Sequence, residues 1–140
     1  MKLKASLALA FGLLSGMAYS ATDLVIATVN NRQMVEMQKL SKFFEQANPD
    51  IKLKWLVLEE GVLRARVTTD IATKGGQFDV MTIGMYETPI WGKKGWLQEV
   101  KTDAAYDVDD LLPAMRNGLS VDGKLYAVPF YGESSMLMYR

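Results

Sequence analysis

Residues 23–58 read DLVIATVNNRQMVEMQKLSKFFEQANPDIKLKWLVL, and this stretch decides the fold. It opens with branched apolar residues, 23–29, whose length and composition predict a β-strand. Residues 32–47 then carry apolar side chains at steps of three and four, the stripe of an amphipathic helix. Pro49 ends this helix, because the residue before a proline avoids helical backbone. Apolar residues alternating with lysines over 51–58 predict a second strand, and the whole stretch predicts a strand–helix–strand unit.

The same alternation continues along the chain. Leu63, Val67 and Ile71 fall on one helical face, and residues 78–84, FDVMTIG, predict a third strand. Strands and helices that alternate with short connections predict an α/β fold with a mostly parallel sheet flanked by helices. Ligands of such sheets collect outside the carboxyl ends of the strands. We therefore expect the three strand-to-helix junctions to share one ligand-binding edge.

The remaining sequence belongs to the same domain. Residues 107–119 predict a short helix capped by an aspartate, and residues 120–132 contain an Asp-Gly turn between two strand-like runs, which predicts a hairpin. No linker, low-complexity tract or internal repeat is visible. The last residues, 134–140, are again strand-like and lack a closing turn or polar tail, which predicts an incomplete domain.

The amino terminus predicts export. Residues 1–20 combine a basic start, an apolar core too short to span a bilayer comfortably, and small residues before a cleavage point after Ser20. We interpret them as a cleavable signal peptide. No cysteine follows that could carry a lipid, so the mature product is expected to be free in the periplasm. We also expect a monomer.

Composition excludes several classes of function. The chain has no His and no Cys, which removes disulfides, thiol chemistry, histidine metal sites and His-dependent triads. Removal of Lys2 and Lys4 with the signal peptide leaves a net charge of about −2, against the basic surface that nucleic acid requires. We predict no cofactor, no metal, no catalytic residue and no nucleic-acid partner.

Polar residues follow the first two strands. Asn30 and Asn31 lie where the first helix should begin; one of them is expected to cap it, and the other is a candidate ligand contact. Glu59 and Glu60 follow the second strand. Their roles stay open between ordinary structure, including an i,i+4 pair of Glu60 with Arg64, ligand hydrogen bonding, and acid–base catalysis.

The third junction adds aromatic residues to a carboxylate. Thr88 and Pro89 predict an N-cap and first helical residue. That helix would place Trp91 in its first turn, close to Tyr86 and Glu87. A flat ring can pack on the C–H face of a polyhydroxylated ligand while a carboxylate accepts its hydroxyls. We predict ligand contact for Tyr86, Glu87 and Trp91, and a packing role for Trp96.

The order of these segments resembles a known family. "TVNN", "FFEQANPDIKLKW", "GGQFDVMTIG", "YETPIWGKKGWL" and "DGKLYAVPFYGESSMLMYR" together resemble the amino-terminal lobe of extracellular solute-binding proteins of ABC transporters, in the maltose-binding-protein-like sugar group and nearest its sorbitol- and mannitol-binding branch. The resemblance implies a periplasmic binding protein-like clamshell that closes on a sugar or polyol and presents it to membrane permease subunits. It adds Tyr131 and Glu133 as contacts beside the first crossing between lobes.

Family members are about three times longer, so the resemblance implies that the second lobe is absent from this chain. The expected organisation is a signal peptide over 1–20, an α/β lobe over 21–129, and a first hinge crossing over 130–140. The main functional hypothesis is a polyol-binding transport component. The alternatives are a secreted carbohydrate-active enzyme that uses carboxylates such as Glu59 and Glu87, and a truncated, non-functional remnant of the binding protein.

Overall fold

The computed structural model describes residues 21–132 and residue 138. Residues 1–20, 133–137 and 139–140 lie outside the described part, and with them the predicted signal peptide and the contact predicted at Glu133. The elements within residues 21–132 are β1 Thr22–Val29, α1 Arg32–Ala47, β2 Ile51–Leu58, α2 Glu60–Thr73, β3 Val80–Met81, α3 Glu87–Lys93, α4 Pro113–Gly118, β4 Ser120–Val121 and β5 Lys124–Leu125. Two short 3-10 turns span Ala104–Tyr106 and Val108–Asp110.

The predicted parallel sheet is confirmed. Its strand order is β2-β1-β3 and both pairings are parallel. β1 pairs with β2 over its full length, from Thr22 beside Ile51 to Val29 beside Leu58. Both strands therefore end at the same level, and their following residues emerge together at the carboxyl edge.

The third strand is shorter than the sequence predicts. Only Val80–Met81 forms a regular β-strand. The flanking Asp79 and Thr82 amides still donate to β1 carbonyl oxygens at 2.9 and 3.0 Å. The chain leaves the sheet at Thr82 because it must turn at Gly84 to begin α3. The third junction thus begins close beside the central strand.

A small hydrophobic core lies between the sheet, α2 and α3. Its buried members are Ala27, Leu63, Val67, Phe78 and Trp91. Leu63 and Val67 lie one turn apart on α2, so one helical face supplies both, as its periodicity predicts. Each fully buried side chain of this size contributes about 1.5–3 kcal/mol relative to exposure. This core holds α2 and α3 at fixed positions beneath the carboxyl edge.

The apolar stripe of α1 is largely exposed. Met34 is buried, but Leu40, Phe43 and Phe44 are exposed by 51, 57 and 42%. α1 instead meets β2 through polar contacts, in which Trp55 Nε1 donates to Ser41 Oγ at 2.7 Å. Helical periodicity therefore predicted this helix correctly but not how much of its face is covered.

The carboxyl-terminal elements match the prediction in kind. Asp122 and Gly123 both have positive φ, 51° and 77°, which forms the primed turn that joins β4 to β5 in the predicted hairpin. The short helix α4 is present, but its N-cap is Leu112, without a side-chain cap. No aspartate stands at the N-cap of α4, so the predicted aspartate cap is wrong; Asp109 forms an ion pair with Arg116 at 2.6 Å.

None of the helices among the described residues is long and apolar enough to cross a membrane.

Candidate ligand-binding site

A groove of about 590 Å³ opens at the carboxyl ends of β1 and β2. The matched ends of the two parallel strands bring both junctions to it, and the segment after β5 forms its third side. Five of its residues were predicted as ligand contacts from the sequence. Its lining consists of Val29, Asn30, Asn31, Val57, Leu58, Glu59, Glu60 and Tyr131. We refer to these eight residues as the groove.

The predicted helix cap in the asparagine pair is confirmed at Asn31. Asn31 is the N-cap of α1, and its Oδ1 accepts a hydrogen bond from the Met34 amide at 2.8 Å. Its Nδ2 donates to the Tyr131 hydroxyl at 2.9 Å. Asn30 is exposed in the same groove. The cap therefore fixes one side chain, and the neighbouring one lies open at the groove wall.

Glu59 is the N-cap of α2. Its Oε2 accepts from the Val62 amide at 3.2 Å. Hydrogen bonds from the Gly61 and Val62 amides lower the pKa of the Glu59 carboxyl below its ordinary value. Glu59 therefore stays ionised at neutral pH and offers the groove a charged acceptor.

Arg64 joins the second junction to the third. Its Nη2 donates to Glu60 Oε1 at 2.7 Å, which confirms the predicted i,i+4 pair, and its Nη1 pairs with Glu87 Oε1. The hydrogen bond that Arg64 donates to Glu60, together with the charge of Glu87, raises the pKa of the Arg64 guanidinium. One cation thus partly neutralises two carboxylates beside the groove.

Glu87 is committed to structure at both of its oxygens. Oε1 meets Arg64, and Oε2 accepts from the Gly84 amide at 3.0 Å. A Cβ at position 84 would lie 2.6 Å from Oε2, so any other residue there would push the carboxylate away from this close approach. The Glu87 side chain is only 17% exposed. It fixes the turn after β3, and it is not among the groove-lining residues.

The third helix begins earlier than predicted. It starts at Glu87, and Thr88 is its second residue; the Thr88 hydroxyl donates to the Gly84 carbonyl at 2.9 Å. The predicted cap at Thr88 is therefore wrong. Trp91 lies in the second turn and is directed into the core, with 6% of its surface exposed. Ligand contact at Trp91 stays a prediction, and its buried ring counts against it.

Two other aromatic residues, Tyr86 and Trp96, lie at or near the third junction. Tyr86 is 78% exposed and lies at the N-cap position of α3 without a side-chain cap hydrogen bond. Trp96 is partly buried and packs against the core, as predicted, with Lys94 Nζ 4.3 Å from its ring centroid. Tyr86 is therefore the predicted ligand residue of this junction that remains open to solvent.

Sequence reasoning missed the apolar part of the groove and its bridging cation. Val29, Val57 and Leu58 lie at the strand ends and form apolar lining between the polar side chains. The strand predictions themselves carried this signal, because the last residues of two parallel strands meet at one edge. The contact of Arg64 with Glu87 left no such signal, since 23 residues separate them.

Among the described residues, no group of three or more acidic side chains could hold a metal ion.

Comparison with known proteins agrees with this fold. Residues 28–140 match the family described as bacterial extracellular solute-binding protein. The chain is 60% identical over 139 residues to the mannitol-binding protein of Pseudomonas aeruginosa, which covers 99% of this chain and 32% of that protein. The chain therefore spans about a third of the length of this curated relative.

Solved structures show the same partial coverage. An ABC transporter solute-binding protein from Agrobacterium vitis S4 with bound D-mannitol is 61% identical, with a TM-score of 0.73, over 78% of this chain and 27% of that one. A second, from Agrobacterium radiobacter K84 in complex with ribitol, is 27% identical, with a TM-score of 0.70, over 80% of this chain and 29% of that one. The chain belongs to the bacterial extracellular solute-binding protein family and has a periplasmic binding protein-like fold.

Proposed function

We propose that this chain supplies one wall of a sugar-alcohol site in the binding component of an ABC transporter, and that D-mannitol or a closely related polyol is the ligand. The similarity to a mannitol-binding protein and to a mannitol-bound structure supports the ligand class. The observation that carries the proposal is the groove itself, because its polar and apolar lining suits a chain of hydroxyl-bearing carbons.

The chemistry of the groove fits a neutral polyol. Glu59 and Glu60 accept hydrogen bonds from neighbouring hydroxyls, and charged acceptors bind them more strongly than neutral ones. Val29 and Leu58 offer apolar surface to the C–H groups between those hydroxyls. Two carboxylates at the groove disfavour anionic sugar acids, which would meet like charge.

The proposed contacts are polar groove residues together with the exposed ring at the third junction: Asn30, Glu59, Glu60, Tyr131 and Tyr86. Direct ligand contact at Asn31 stays a prediction, and the engagement of its amide by Met34 and Tyr131 counts against it. Glu87 and Trp91 have an indirect role: Glu87 fixes the turn at Gly84, and Trp91 packs in the core. The contact at Glu133 stays a prediction outside the described residues.

We further propose that residues 1–20 direct export to the periplasm, that residues 21–129 form the lobe, and that residues 130–140 begin the crossing to a second lobe. The protein would act as a monomer that closes on its ligand and delivers it to permease subunits. Family membership supports the extracellular setting of this scheme.

An enzymatic role receives no support from the carboxylates. A general acid needs a raised pKa, whereas the amides of α2 lower the pKa of Glu59. Both oxygens of Glu87 are engaged by Arg64 and Gly84. The chain's relatives are solute-binding proteins, and reversible binding needs no nucleophile.

A chimera tests the ligand directly. Residues 21–140 replace the matched segment of the Pseudomonas aeruginosa mannitol-binding protein, and calorimetry measures the binding of D-mannitol, D-sorbitol, ribitol and maltose. We expect saturable binding of D-mannitol with an affinity close to that of the parent protein. A folded chimera that binds no polyol, beside a parent that does, would refute the proposal.

Two controls address the alternatives. Nuclear magnetic resonance of the ligand after long incubation should show unchanged D-mannitol, and any product would favour the enzyme. Titration of residues 21–140 alone should show much weaker binding than the chimera, because the groove offers a single open wall. Binding by the chain alone at the chimera's affinity would contradict that expectation.

A further inference from the structure

The hydrogen bonds of Asn31 fix the direction in which its amide faces. Oδ1 is committed to the Met34 amide at 2.8 Å, as the N-cap of α1. The other end of the side chain is therefore the NH₂ group, and it donates to the Tyr131 oxygen at 2.9 Å. A carboxamide held in this way can act toward Tyr131 only as a donor.

This direction decides what Tyr131 can do. A phenol has one O–H donor and an oxygen that also accepts. The Tyr131 oxygen accepts the hydrogen bond from Asn31, so the hydroxyl hydrogen of Tyr131 points away from Asn31. Among residues 21–132, this is the one hydrogen bond recorded for Tyr131, and its ring lies edge-on to Phe130 with centroids 5.6 Å apart. Tyr131 is partly buried at the groove wall.

We propose that Asn31 is a positioning residue that orients the Tyr131 hydroxyl as a hydrogen-bond donor into the groove. The inference rests on the proposed polyol-binding function and deepens it. The groove carboxylates, Glu59 and Glu60, can only accept hydrogen bonds when ionised. A ligand hydroxyl that donates to a carboxylate still needs a donor for its own lone pairs, and Tyr131 supplies one.

The test reverses the hydrogen bond while it preserves the cap. Asn31→Asp has nearly the same size, and aspartate caps helices as well as asparagine does. It replaces the NH₂ donor by a carboxylate oxygen, so the Tyr131 hydroxyl turns toward this carboxylate and leaves the groove. In the chimera, we expect the Kd for D-mannitol to rise about three- to tenfold, the loss of one hydrogen bond, with the melting temperature nearly unchanged.

A double-mutant cycle separates this mechanism from a general effect of charge. Tyr131→Phe should weaken D-mannitol binding to a similar extent. In the Tyr131→Phe background, Asn31→Asp should then have no further effect on Kd. If Asn31→Asp weakens binding equally in both backgrounds, Asn31 does not act through Tyr131 and the proposal is wrong.

A second measurement needs no ligand, so failure of the proposed function remains distinguishable. The tyrosine Fermi doublet in the Raman spectrum responds to whether a phenol accepts or donates its hydrogen bond. The signal of Tyr131 is obtained by subtracting the spectrum of a Tyr131→Phe variant from that of the protein that keeps Tyr131. This difference is measured once with Asn31 and once with Asn31→Asp. We expect the signal to shift from the acceptor toward the donor pattern in Asn31→Asp. An unchanged signal would overturn the inference whether or not D-mannitol binds.

Discussion

The groove and the third junction lie on the same edge of one sheet, yet their side chains serve different purposes. In the groove, Asn30 and Glu59 are exposed, and Tyr131 is only partly buried. At the third junction, the Glu87 carboxylate is held by the chain's own donors and Trp91 lies in the core. Position at a ligand-collecting edge is therefore not sufficient, since a side chain must also remain exposed there.

Glu59 and Glu87 make this contrast at the level of single carboxylates. Each is located at the start of a helix and accepts from a nearby backbone amide. Glu59 is exposed, whereas Glu87 also meets a guanidinium and is mostly buried. The same residue type thus gives a candidate ligand contact at one junction and a structural clamp at the other.

The largest expected effect distinguishes core from surface at the third junction. Trp91→Ala removes a buried ring and should lower the free energy of unfolding by about 3–5 kcal/mol. Its matched control, Tyr86→Ala, removes an exposed ring and should change stability by no more than about 0.5 kcal/mol. Urea unfolding followed by circular dichroism measures both. Equal effects would contradict the core position of Trp91.

The next prediction concerns the clamp at Glu87. Glu87→Ala leaves the Gly84 amide and Arg64 without an acceptor and should destabilise the chain by about 1–2 kcal/mol. Glu60→Ala removes the exposed partner of the same arginine, so it should cost less than about 0.5 kcal/mol. Urea unfolding compares the two variants. A larger loss of stability in Glu60→Ala than in Glu87→Ala would contradict the structural role assigned to Glu87.

For ligand binding, Glu59 should matter more than Glu87. In the chimera, Glu59→Gln replaces a charged acceptor by a neutral one and should raise the Kd for D-mannitol about tenfold. Glu87→Gln keeps an acceptor toward Gly84 and should change Kd by less than about twofold, because its side chain is not among the groove lining. Calorimetry with D-mannitol measures both constants. A stronger effect at Glu87 would move the proposed site to the third junction.

The smallest effect is a pH dependence. The folded pKa of Glu59 is lowered, so its stabilisation of α2 is complete above the unfolded glutamate pKa of about 4.3 and is lost as pH falls through the lower folded value. Glu59→Gln has no such charge to lose. The stability difference between the chain and Glu59→Gln should therefore shrink on acidification, as measured by urea unfolding from about pH 7 to about pH 3. A difference that grows would reverse the sign of the shift.

Local sequence patterns predicted much of the fold because they report on local forces. The branched run at the start of β1, the stripe of α2 and the Asp-Gly turn each specify their own conformation. Alternation of strands and helices then predicted the parallel sheet, and with it the meeting of Asn31 and Glu59 at one edge. The same reasoning could not supply the coverage of α1, since periodicity reports that a face is apolar and not what lies against it.

The predictions that needed correction concern the caps of two short helices. Thr88 has the residue type of an N-cap, but the Gly84 carbonyl occupies its hydroxyl and the helix begins before it. An aspartate was expected at the cap of α4, but Leu112 stands there, and Asp109 pairs with Arg116. In both helices the residue at the N-cap position has no side-chain cap hydrogen bond.

The sequence by itself determined the α/β class, the order of the elements and the residues that reach the carboxyl edge, because periodicity and turn chemistry act within a few residues. Only the tertiary structure decided which of those residues stay free. Arg64 and Glu87 are 23 residues apart, and Asn31 and Tyr131 are 100 apart. Whether such polar groups pair depends on the packing of α2, α3 and the segment after β5, and this packing leaves Glu59 open to ligand while it closes Glu87.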